Sequence, residues 1–557
     1  MGVGAVEPEA PALDLWRIGI LLVSVALSAY HLSWGLPNGN DSWAADALGP
    51  VTVLGVVSRS FRQWNSGWFY FKYPLGYPLL QAAVYVPYLA YLFVAGGWRV
   101  SSSAYPYGFA NPEQALFVLA LCGRMLSVLL TVGTVALTYA IGERLFGRLG
   151  GRLSAWLVAT CYPVIYYAHT TNLDAAYLFW LILALYCAVV ASQTDRWLPW
   201  AGLGVAAAMA VSTKEQGFAF LLPLPALALL ARIRAHGTVR VCWAPATLAM
   251  AGAAIGTAIL ANNVLVNPLG FVGRLAYLLG HPLQPVTARL APVEFALWKG
   301  AQEWKYVRQL WDGLDSALGT PLACLAAAGA VAVWRTPRTA LWLLAPVVIH
   351  YYVALRGLDL IALRYLLPLI VVAAVLASGL LARLYAGAGH GWGRAAVLAV
   401  CCLLAAVSLA RAFELHWLLH TDSRYQAERW MRAHLASGAH GEVYQKPAYV
   451  PRFGTPVTAE WVPMPGRTIA AVRERGPDFI VISSASRRSI THIWNPDWRE
   501  TRSLLLPAPE AVRLFAALQS GDLGYRPAAR FRQTPRLLRS GITSLCPEIT
   551  IYVHDPR

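Results

Sequence analysis

Apolar stretches of about 20 residues follow one another from Leu15 to Ala412, and this feature most restricts how the chain can fold. A helix needs roughly 20 mostly apolar residues to cross a bilayer. The chain of 557 residues is 57% hydrophobic and 13% charged, which is too apolar for a soluble multi-domain protein. After Ala412 charges and prolines return, and short apolar runs such as 479–483 are typical of strands. We therefore predict an α-helical polytopic membrane domain over residues 1–412 and a soluble α/β domain over residues 413–557.

The segment 73–97 decides the predicted topology. It is apolar enough to cross a bilayer, but it contains Pro74, Pro78 and Pro87. If it crossed, the arginine-rich loop 143–152 would lie outside, against the positive-inside rule. If it lies in the interface or re-enters without crossing, about 11 spans follow. They are residues 15–34, 113–141, 153–168, 173–191, 197–212, 217–232, 241–266, 318–334, 340–355, 365–382 and 395–412.

Basic residues favour this second topology. The inside loops then hold eleven of them: Arg144, Arg148, Arg152, Arg196, Arg232, Arg234, Arg240, Arg335, Arg338, Arg383 and Arg394. The three short outside loops hold Lys214, Arg356 and Arg364. Because such an asymmetry sets orientation, we predict a multi-pass protein of the cytoplasmic membrane. The first loop, 35–112, the loop 267–320 and the C-terminal domain are then extracytoplasmic.

The net charge of +17 does not indicate a nucleic-acid-binding protein. The basic residues are dispersed over loops and the C-terminal part, with no run of five or six Lys or Arg. Such a distribution is typical of helix ends and of contact with anionic lipid. The cysteines show no C-x-x-C spacing, and we predict no metal site.

Two carboxylates follow the first span directly. Asp41 and Asp46 lie in a Pro/Gly/Asn-rich loop, where a turn or a helix cap is the structural alternative. A carboxylate at the boundary between water and lipid can also meet a lipid headgroup and a polar acceptor together. Asp41 is accordingly our candidate for a catalytic base.

Four further charges lie at or inside predicted membrane boundaries, where charges are costly and usually functional. They are Arg124, Asp174, Lys214 and Arg364. Each has a structural alternative: Lys214 can pair with Glu215, Asp174 can cap its helix, and the arginines can form structural ion pairs or extend to the membrane interface. All four fall on the outer side of the predicted topology. The three cations suit a phosphate group at the membrane surface, since arginine can bind two of its oxygens.

The order of these features resembles the GT-C superfamily of polyprenyl-phosphate-sugar glycosyltransferases, on the branch of protein O-mannosyltransferases and lipid A aminoarabinose transferases. The matching elements, in chain order, are Asn40-Asp-Ser42, Phe71-Lys-Tyr-Pro-Leu-Gly-Tyr-Pro78, Gly123-Arg-Met-Leu-Ser127, Glu143-Arg-Leu-Phe-Gly147, Thr171-Asn-Leu-Asp174, Thr213-Lys214 and Arg364-Tyr-Leu-Leu-Pro368. In the C-terminal part, Ser423-Arg-Tyr-Gln-Ala-Glu-Arg-Trp430 and Pro477-Asp-Phe-Ile-Val-Ile482 are similar to patterns of bacterial members.

The resemblance implies an inverting transfer of a sugar from a polyprenyl-phosphate donor to a hydroxyl of a glycan, lipid or protein. Asp41 is then the catalytic residue. The substrate-binding residues are Asp46, Lys72, Arg124, Asp174, Lys214 and Arg364. No cofactor is implied, and the need for a divalent cation stays open. The acidic site of the family is usually Asp-Glu, whereas Ser42 follows Asp41 here. Whether Asp46 replaces the second carboxylate is therefore open.

Two other classes fit the same pattern of spans and charges. A transporter or a flippase for lipid-linked glycans would also contain buried charges, but such proteins commonly show paired repeats, and the sequence has no convincing internal repeat. A polysaccharide ligase with a diphosphate-linked donor would have a similar architecture and would bind two phosphates.

Overall fold

The computed structural model describes residues 14–36, 42–62, 73–279, 303–356, 358, 361–389, 391–485, 488–494, 505–539 and 541–555. These residues form a bundle of apolar helices followed by a C-terminal α/β domain, so the predicted fold class is confirmed. The helices before the C-terminal domain are α1 (Leu15–Ala29), α2 (Pro50–Arg62), α3 (Gly76–Val94), α4 (Pro112–Ala159), α5 (Tyr162–Ala168), α6 (Leu173–Ala191), α7 (Trp197–Thr213), α8 (Gly217–Leu221), α9 (Pro223–His236), α10 (Pro245–Ala261), α11 (Pro268–Leu278), α12 (Glu303–Leu318), α13 (Thr320–Trp334), α14 (Pro337–His350), α15 (Leu367–Gly387) and α16 (Trp392–His420).

By length and composition, fewer helices qualify as membrane spans than the eleven predicted. Among the described residues, 7 helical segments are long and apolar enough to cross a membrane, or up to 8 if α12 and α13, bent by 119°, form one broken span. Three predicted spans correspond to α1, α7 and α10, which are apolar but shorter. The count of eleven therefore stays a prediction.

Helices α1 and α4 pack antiparallel, and their contacts define the two ends of the bundle. At one end Asp14 lies 3.1 Å from Arg152 and also accepts a hydrogen bond from Tyr139. At the other end, called here the site end, Arg124 lies beside the last residues of the α1 segment, including Trp34. Helix α4 breaks at Gly147, which has φ of 76°, a backbone conformation that favours glycine. This break falls within the predicted loop 143–152.

Helix α3 lies alongside the first turns of α4. Its start is level with Ser127, whose hydroxyl lies 3.1 Å from the Tyr77 hydroxyl. Its far end lies next to the start of α4, where Ala110 N donates to Gly97 O at 2.8 Å. The two segments thus form a hairpin at the site end, and α3 does not return to the level of Tyr139. Because α3 is also long and apolar enough to cross a membrane, the non-crossing of segment 73–97 stays a prediction.

The C-terminal domain is built on a five-stranded sheet in the order β2-β1-β3-β7-β6. Strand β3 confirms the strand predicted over 479–483, and β7 pairs antiparallel with both β3 and β6. The strands are β1 (His440–Val443), β2 (Thr458–Trp461), β3 (Phe479–Ser483), β4 (His492–Trp494), β5 (Leu505–Pro507), β6 (Tyr525–Phe531) and β7 (Ile549–His554), with β4 and β5 forming a separate pair. The helices are α17 (Ser423–His434), α18 (Ile469–Arg475), α19 (Arg488–Thr491) and α20 (Pro509–Ser520).

The C-terminal domain is docked onto the site end of the helical bundle. Leu538, Ile542 and Leu545 belong to the same buried apolar cluster as the bundle helices. Polar contacts flank them, with the Ser544 hydroxyl 2.9 Å from that of Tyr166. The backbone N–H groups of residues 536–538 donate to the Glu414 carboxylate on α16. Apolar burial and these hydrogen bonds fix the domain above the bundle.

Candidate active site

A buried ion pair forms the floor of the candidate site. Lys214 Nζ lies 2.9 Å from the Asp174 carboxylate, and the two side chains are 8% and 4% exposed. Asp174 is in the first turn of α6, where the helix dipole favours a negative charge. Lys214 follows α7 in an extended conformation that ends the helix. The sequence alternative in which Lys214 pairs with Glu215 is not observed, because Glu215 pairs with Arg274.

Arg364 lies next to this pair, with Tyr365 between the two cations. Lys214 Nζ is 4.5 Å from the centre of the Tyr365 ring, and the Arg364 guanidinium carbon is 5.1 Å from it. Arg364 also interacts electrostatically with Asp174 and forms a 2.5 Å ion pair with Asp46. Its buried Nε atom has no hydrogen-bond partner among the described residues. We call Asp46, Asp174, Lys214 and Arg364 the ionic cluster.

The Thr171-Asn172 segment positions the loop that contains Asp46. The Thr171 hydroxyl donates to Leu48 O at 2.7 Å, and the Asn172 side chain donates to Ala45 O at 3.0 Å. These bonds hold the backbone on both sides of Asp46, which itself has φ of 62°. The Thr-x-x-Asp element therefore supplies the Asp174 carboxylate and also fixes the loop opposite it.

A cavity of about 460 Å³ opens beside the ionic cluster, between the first loop and the C-terminal domain. Its lining residues are Ser42, Ala44, Ala45, Asp46, Ala47, Leu48, Thr52, Tyr73, Lys446, Pro447, Ala448, Tyr449 and Trp461. Burial raises the pKa of Tyr73 and of Tyr449, while Arg364 opposes this effect at both. Both phenols therefore stay protonated at neutral pH and can donate hydrogen bonds to a ligand.

Sequence reasoning missed the aromatic and C-terminal residues of this site. The sequence did not single out Tyr73, Lys446, Tyr449 or Trp461. Tyr73 was included only within the Tyr/Pro-rich element 71–78. The tyrosines carry no charge that would be unusual near a membrane. Lys446 and Trp461 lie in a domain whose docking could not be foreseen.

Arg124 has a different environment from the ionic cluster. Its Nη1 atom donates to Leu32 O at 2.5 Å and to Trp34 O at 2.7 Å. The arginine is buried, and its Nη2 atom has no hydrogen-bond partner among the described residues. In this arrangement Arg124 caps the end of the α1 segment. The structure does not bring it into contact with Lys214 or Arg364, and its predicted role in substrate binding is untested.

Two predicted site residues, Asp41 and Lys72, lie outside the described residues. Ser42, the chain neighbour of Asp41, lines the cavity. Within the described part of the chain, His, Cys, Asp and Glu side chains form no group of three or more that could hold a metal ion.

The C-terminal domain holds the backbone on both sides of the acidic segment 37–41. On one side Arg452 Nη1 donates to Leu36 O at 2.7 Å. On the other side Arg424 Nη1 lies 3.4 Å from Trp43 O, and it donates to Ala448 O at 2.7 Å. Arg424 is fully buried and pairs with Asp422 at 2.7 Å. Arg424 thus connects the two walls of the cavity, one from the first loop and one from the C-terminal domain.

Part of the chain matches a known family. Residues 119–264 match the family model described as dolichyl-phosphate-mannose-protein mannosyltransferase. The matched stretch runs from α4 to just beyond α10, and it includes Asp174 and Lys214 of the ionic cluster. Over this stretch, the family match confirms the predicted resemblance to the protein O-mannosyltransferases of the GT-C superfamily.

Three solved structures are similar to the chain over about half to nearly all of its length. The Archaeoglobus fulgidus oligosaccharyltransferase has a TM-score of 0.46 and 12% identity, covering 97% of this chain and 88% of that chain. ArnT from Cupriavidus metallidurans bound to undecaprenyl phosphate has a TM-score of 0.45 and 13% identity, covering 97% and 98%. The Saccharomyces cerevisiae Pmt1-Pmt2 O-mannosyltransferase complex has a TM-score of 0.29 and 16% identity, covering 49% and 34%. No curated protein sequence matches the chain.

Proposed function

We propose that the protein is an inverting glycosyltransferase that moves a sugar from a polyprenyl-phosphate donor to a hydroxyl acceptor, on the outer face of the cytoplasmic membrane. The observation that carries this proposal is the convergence of Lys214 and Arg364 on Tyr365, at the end of the bundle where the cavity opens. The family match supports transfer over transport, and its description names a lipid-phosphate sugar.

The proposed reaction uses the cations at the leaving group. The acceptor oxygen forms a bond to the anomeric carbon while the bond from that carbon to the phosphate oxygen breaks, and its electron pair stays on the phosphate. The phosphate gains negative charge as it leaves, so Lys214 and Arg364 stabilise the transition state more than the bound donor. The Nε of Arg364, which has no hydrogen-bond partner in the described part of the chain, offers a further donor to a phosphate oxygen. Asp41 takes the proton of the acceptor hydroxyl.

The test is transfer of a radiolabelled sugar from polyprenyl phosphate by the full-length protein in lipid vesicles. Arg364→Met should lower turnover at least tenfold, which corresponds to about 1.4 kcal/mol of lost transition-state stabilisation. Arg513→Met is the matched control, because Arg513 is exposed on α20 in the C-terminal domain. Undiminished transfer by Arg364→Met would exclude this phosphate site.

Lys214 needs a paired design, since Lys214→Met alone leaves Asp174 buried without its cation and can prevent folding. The double variant Asp174→Asn/Lys214→Met removes both charges. We expect it to fold, as judged by thermal unfolding, and to transfer sugar at least tenfold more slowly than the parent. A folded double variant with normal turnover would contradict the role of Lys214.

A further inference from the structure

The wall of the cavity formed by the C-terminal domain has the composition of a saccharide-binding surface. Trp461 lies at the end of β2, the edge strand of the sheet, and 47% of this residue is exposed. Tyr449 lies in the turn that follows Lys446. Flat aromatic faces can cover the C–H face of a sugar ring, while polar groups at their edges bind hydroxyls.

The same wall has a cation without a counter-charge. Lys446 is exposed, and among the described residues it has no carboxylate partner. The other charges at the cavity are balanced, since Asp46 is paired with Arg364. A cavity with one unbalanced lysine attracts an anionic ligand.

The position of the cavity shows which substrate it could hold. The polyprenyl donor needs a bilayer-facing path to the ionic cluster, whereas this cavity lies between a loop and the C-terminal domain. Its volume of about 460 Å³ falls in the usual range for a small-molecule site of about 300–1,000 Å³. Arg424, bonded to backbone on both sides, fixes the separation of the two walls.

We propose that this cavity is the acceptor subsite and that it binds a saccharide bearing an anionic group, with Trp461 and Tyr449 against the ring and Lys446 against the charge. The inference rests on the proposed function, because it names the acceptor class of that transfer. It places acceptor recognition in the C-terminal domain and donor recognition in the membrane helices.

Lysine footprinting tests the proposal without requiring turnover. The full-length protein in lipid vesicles is treated with a water-soluble acylating reagent, and modification of Lys446 is compared by mass spectrometry with that of exposed Lys305 on α12. A uronic-acid-containing disaccharide at about ten times its dissociation constant should slow acylation of Lys446 roughly tenfold, because about a tenth of the sites then stay free. Lys305 should be unaffected.

Two further probes and one variant decide the chemistry of the ligand. A neutral disaccharide of the same size should protect Lys446 less, and a Ser/Thr-containing peptide should not protect it. Trp461→Ala should abolish protection by the acidic disaccharide, while Trp461→Phe should retain most of it. No protection by the acidic disaccharide, equal protection by the neutral one, or stronger protection by the peptide overturns the proposal.

The footprint separates this inference from the proposed function. If Lys446 is not protected while transfer still depends on Arg364, the acceptor subsite is wrong and the transfer chemistry stands. If Lys446 is protected while Arg364→Met transfers normally, the saccharide site stands and the proposed donor site is wrong.

Discussion

The two cations of the ionic cluster each face a carboxylate, but the two pairs differ in how easily a phosphate could replace that carboxylate. The Asp174–Lys214 pair is buried, so separating its charges is costly. The Asp46 side chain is 58% exposed, and its pair with Arg364 is screened by water. In the proposed reaction, we therefore expect the donor phosphate to exchange with Asp46 on Arg364 while Lys214 stays paired with Asp174.

The choice of base is tested by comparing two carboxylates. Asp41→Asn keeps the shape of the side chain but removes the proton acceptor, and it should cut turnover by roughly 100-fold while leaving donor binding intact. Asp46→Asn releases Arg364 and should lower the KM for the donor. Initial rates over a range of donor concentrations distinguish the two effects. If Asp46→Asn abolishes transfer and Asp41→Asn does not, Asp46 is the base.

Sequence alone singled out charged residues that the structure brings together in the candidate site, but not their contacts. Asp174, Lys214 and Arg364 were recognisable because charges at membrane boundaries are costly. Tyr365 was named only as part of the Arg364-Tyr element. The chain has 26 tyrosines, and nothing in the local sequence distinguishes this one. Arg124 met the same charge criterion as Lys214, yet it binds the backbone of residues 32 and 34. That difference depends on where the α1 segment ends relative to α4, which no local pattern specifies.

At the scale of elements, the loop 42–48 is held by the start of α6 from below and by the C-terminal domain from above. The hydrogen bonds from Thr171 and Asn172 meet backbone carbonyls in a turn that includes a left-handed residue, Asp46. A loop fixed at both ends keeps the Asp46 carboxylate in the cluster without a rearrangement during each turnover.

Loss of one of these hydrogen bonds should reduce turnover without unfolding the protein. Thr171→Val removes the hydroxyl that binds Leu48 O, a bond worth about 1 kcal/mol. If the activation free energy rises by this amount, turnover falls roughly fivefold. Thr134→Val is the control, because the Thr134 hydroxyl is also buried and bonds only within α4, to Leu130 O. Equal activity of both variants would show that the loop is held by other contacts.

The helical elements could be predicted from apolar length, and the strand 479–483 from its composition, because both signals are local. The span count could not, since α1, α7 and α10 are short and only their packing decides whether they cross. The hairpin of α3 with α4 depends on the contacts of Tyr77 and Gly97, which are set by tertiary structure.

At the scale of the whole molecule, the C-terminal domain is part of the candidate site. Arg424 and Arg452 bond the backbone on either side of residues 37–41. Arg424 also donates to Ser544 O at 2.9 Å, within the segment that docks on the bundle. Domain docking and the position of the first-loop backbone at Trp43 are therefore linked through one buried side chain.

A double variant separates this positioning role from stability. Arg424→Met alone leaves Asp422 buried and unpaired, which costs about 3–5 kcal/mol. Asp422→Asn/Arg424→Met removes both charges, keeps a side-chain oxygen for the backbone N–H of residue 424 and for Trp34 Nε1, and should recover most of the melting temperature. We expect its turnover to stay about tenfold below that of the parent, because Trp43 O and Ala448 O have lost their donor. Recovery of both properties would assign Arg424 to stability alone.

The predicted orientation of the molecule is tested by cysteine labelling in intact cells. We expect an impermeant maleimide to label Ser520→Cys in the C-terminal domain directly and Arg148→Cys only after permeabilisation. Arg148 is preferred to Gly147 because the φ of 76° at Gly147 disfavours a side chain. Labelling of Arg148→Cys in intact cells would reverse the predicted sidedness.

The place of β7 in the sheet has a consequence for how the protein is made. Strand β7 comes last of the strands in the chain, yet it lies between β3 and β6. The sheet is therefore incomplete until residues 549–554 have left the ribosome and reached the same compartment as β3. The helices of the bundle are synthesised long before this point. A chain that stalls before β7 would be inserted in the membrane with its ionic cluster in place and its C-terminal wall unassembled, so assembly of the candidate site waits until β7 has been synthesised.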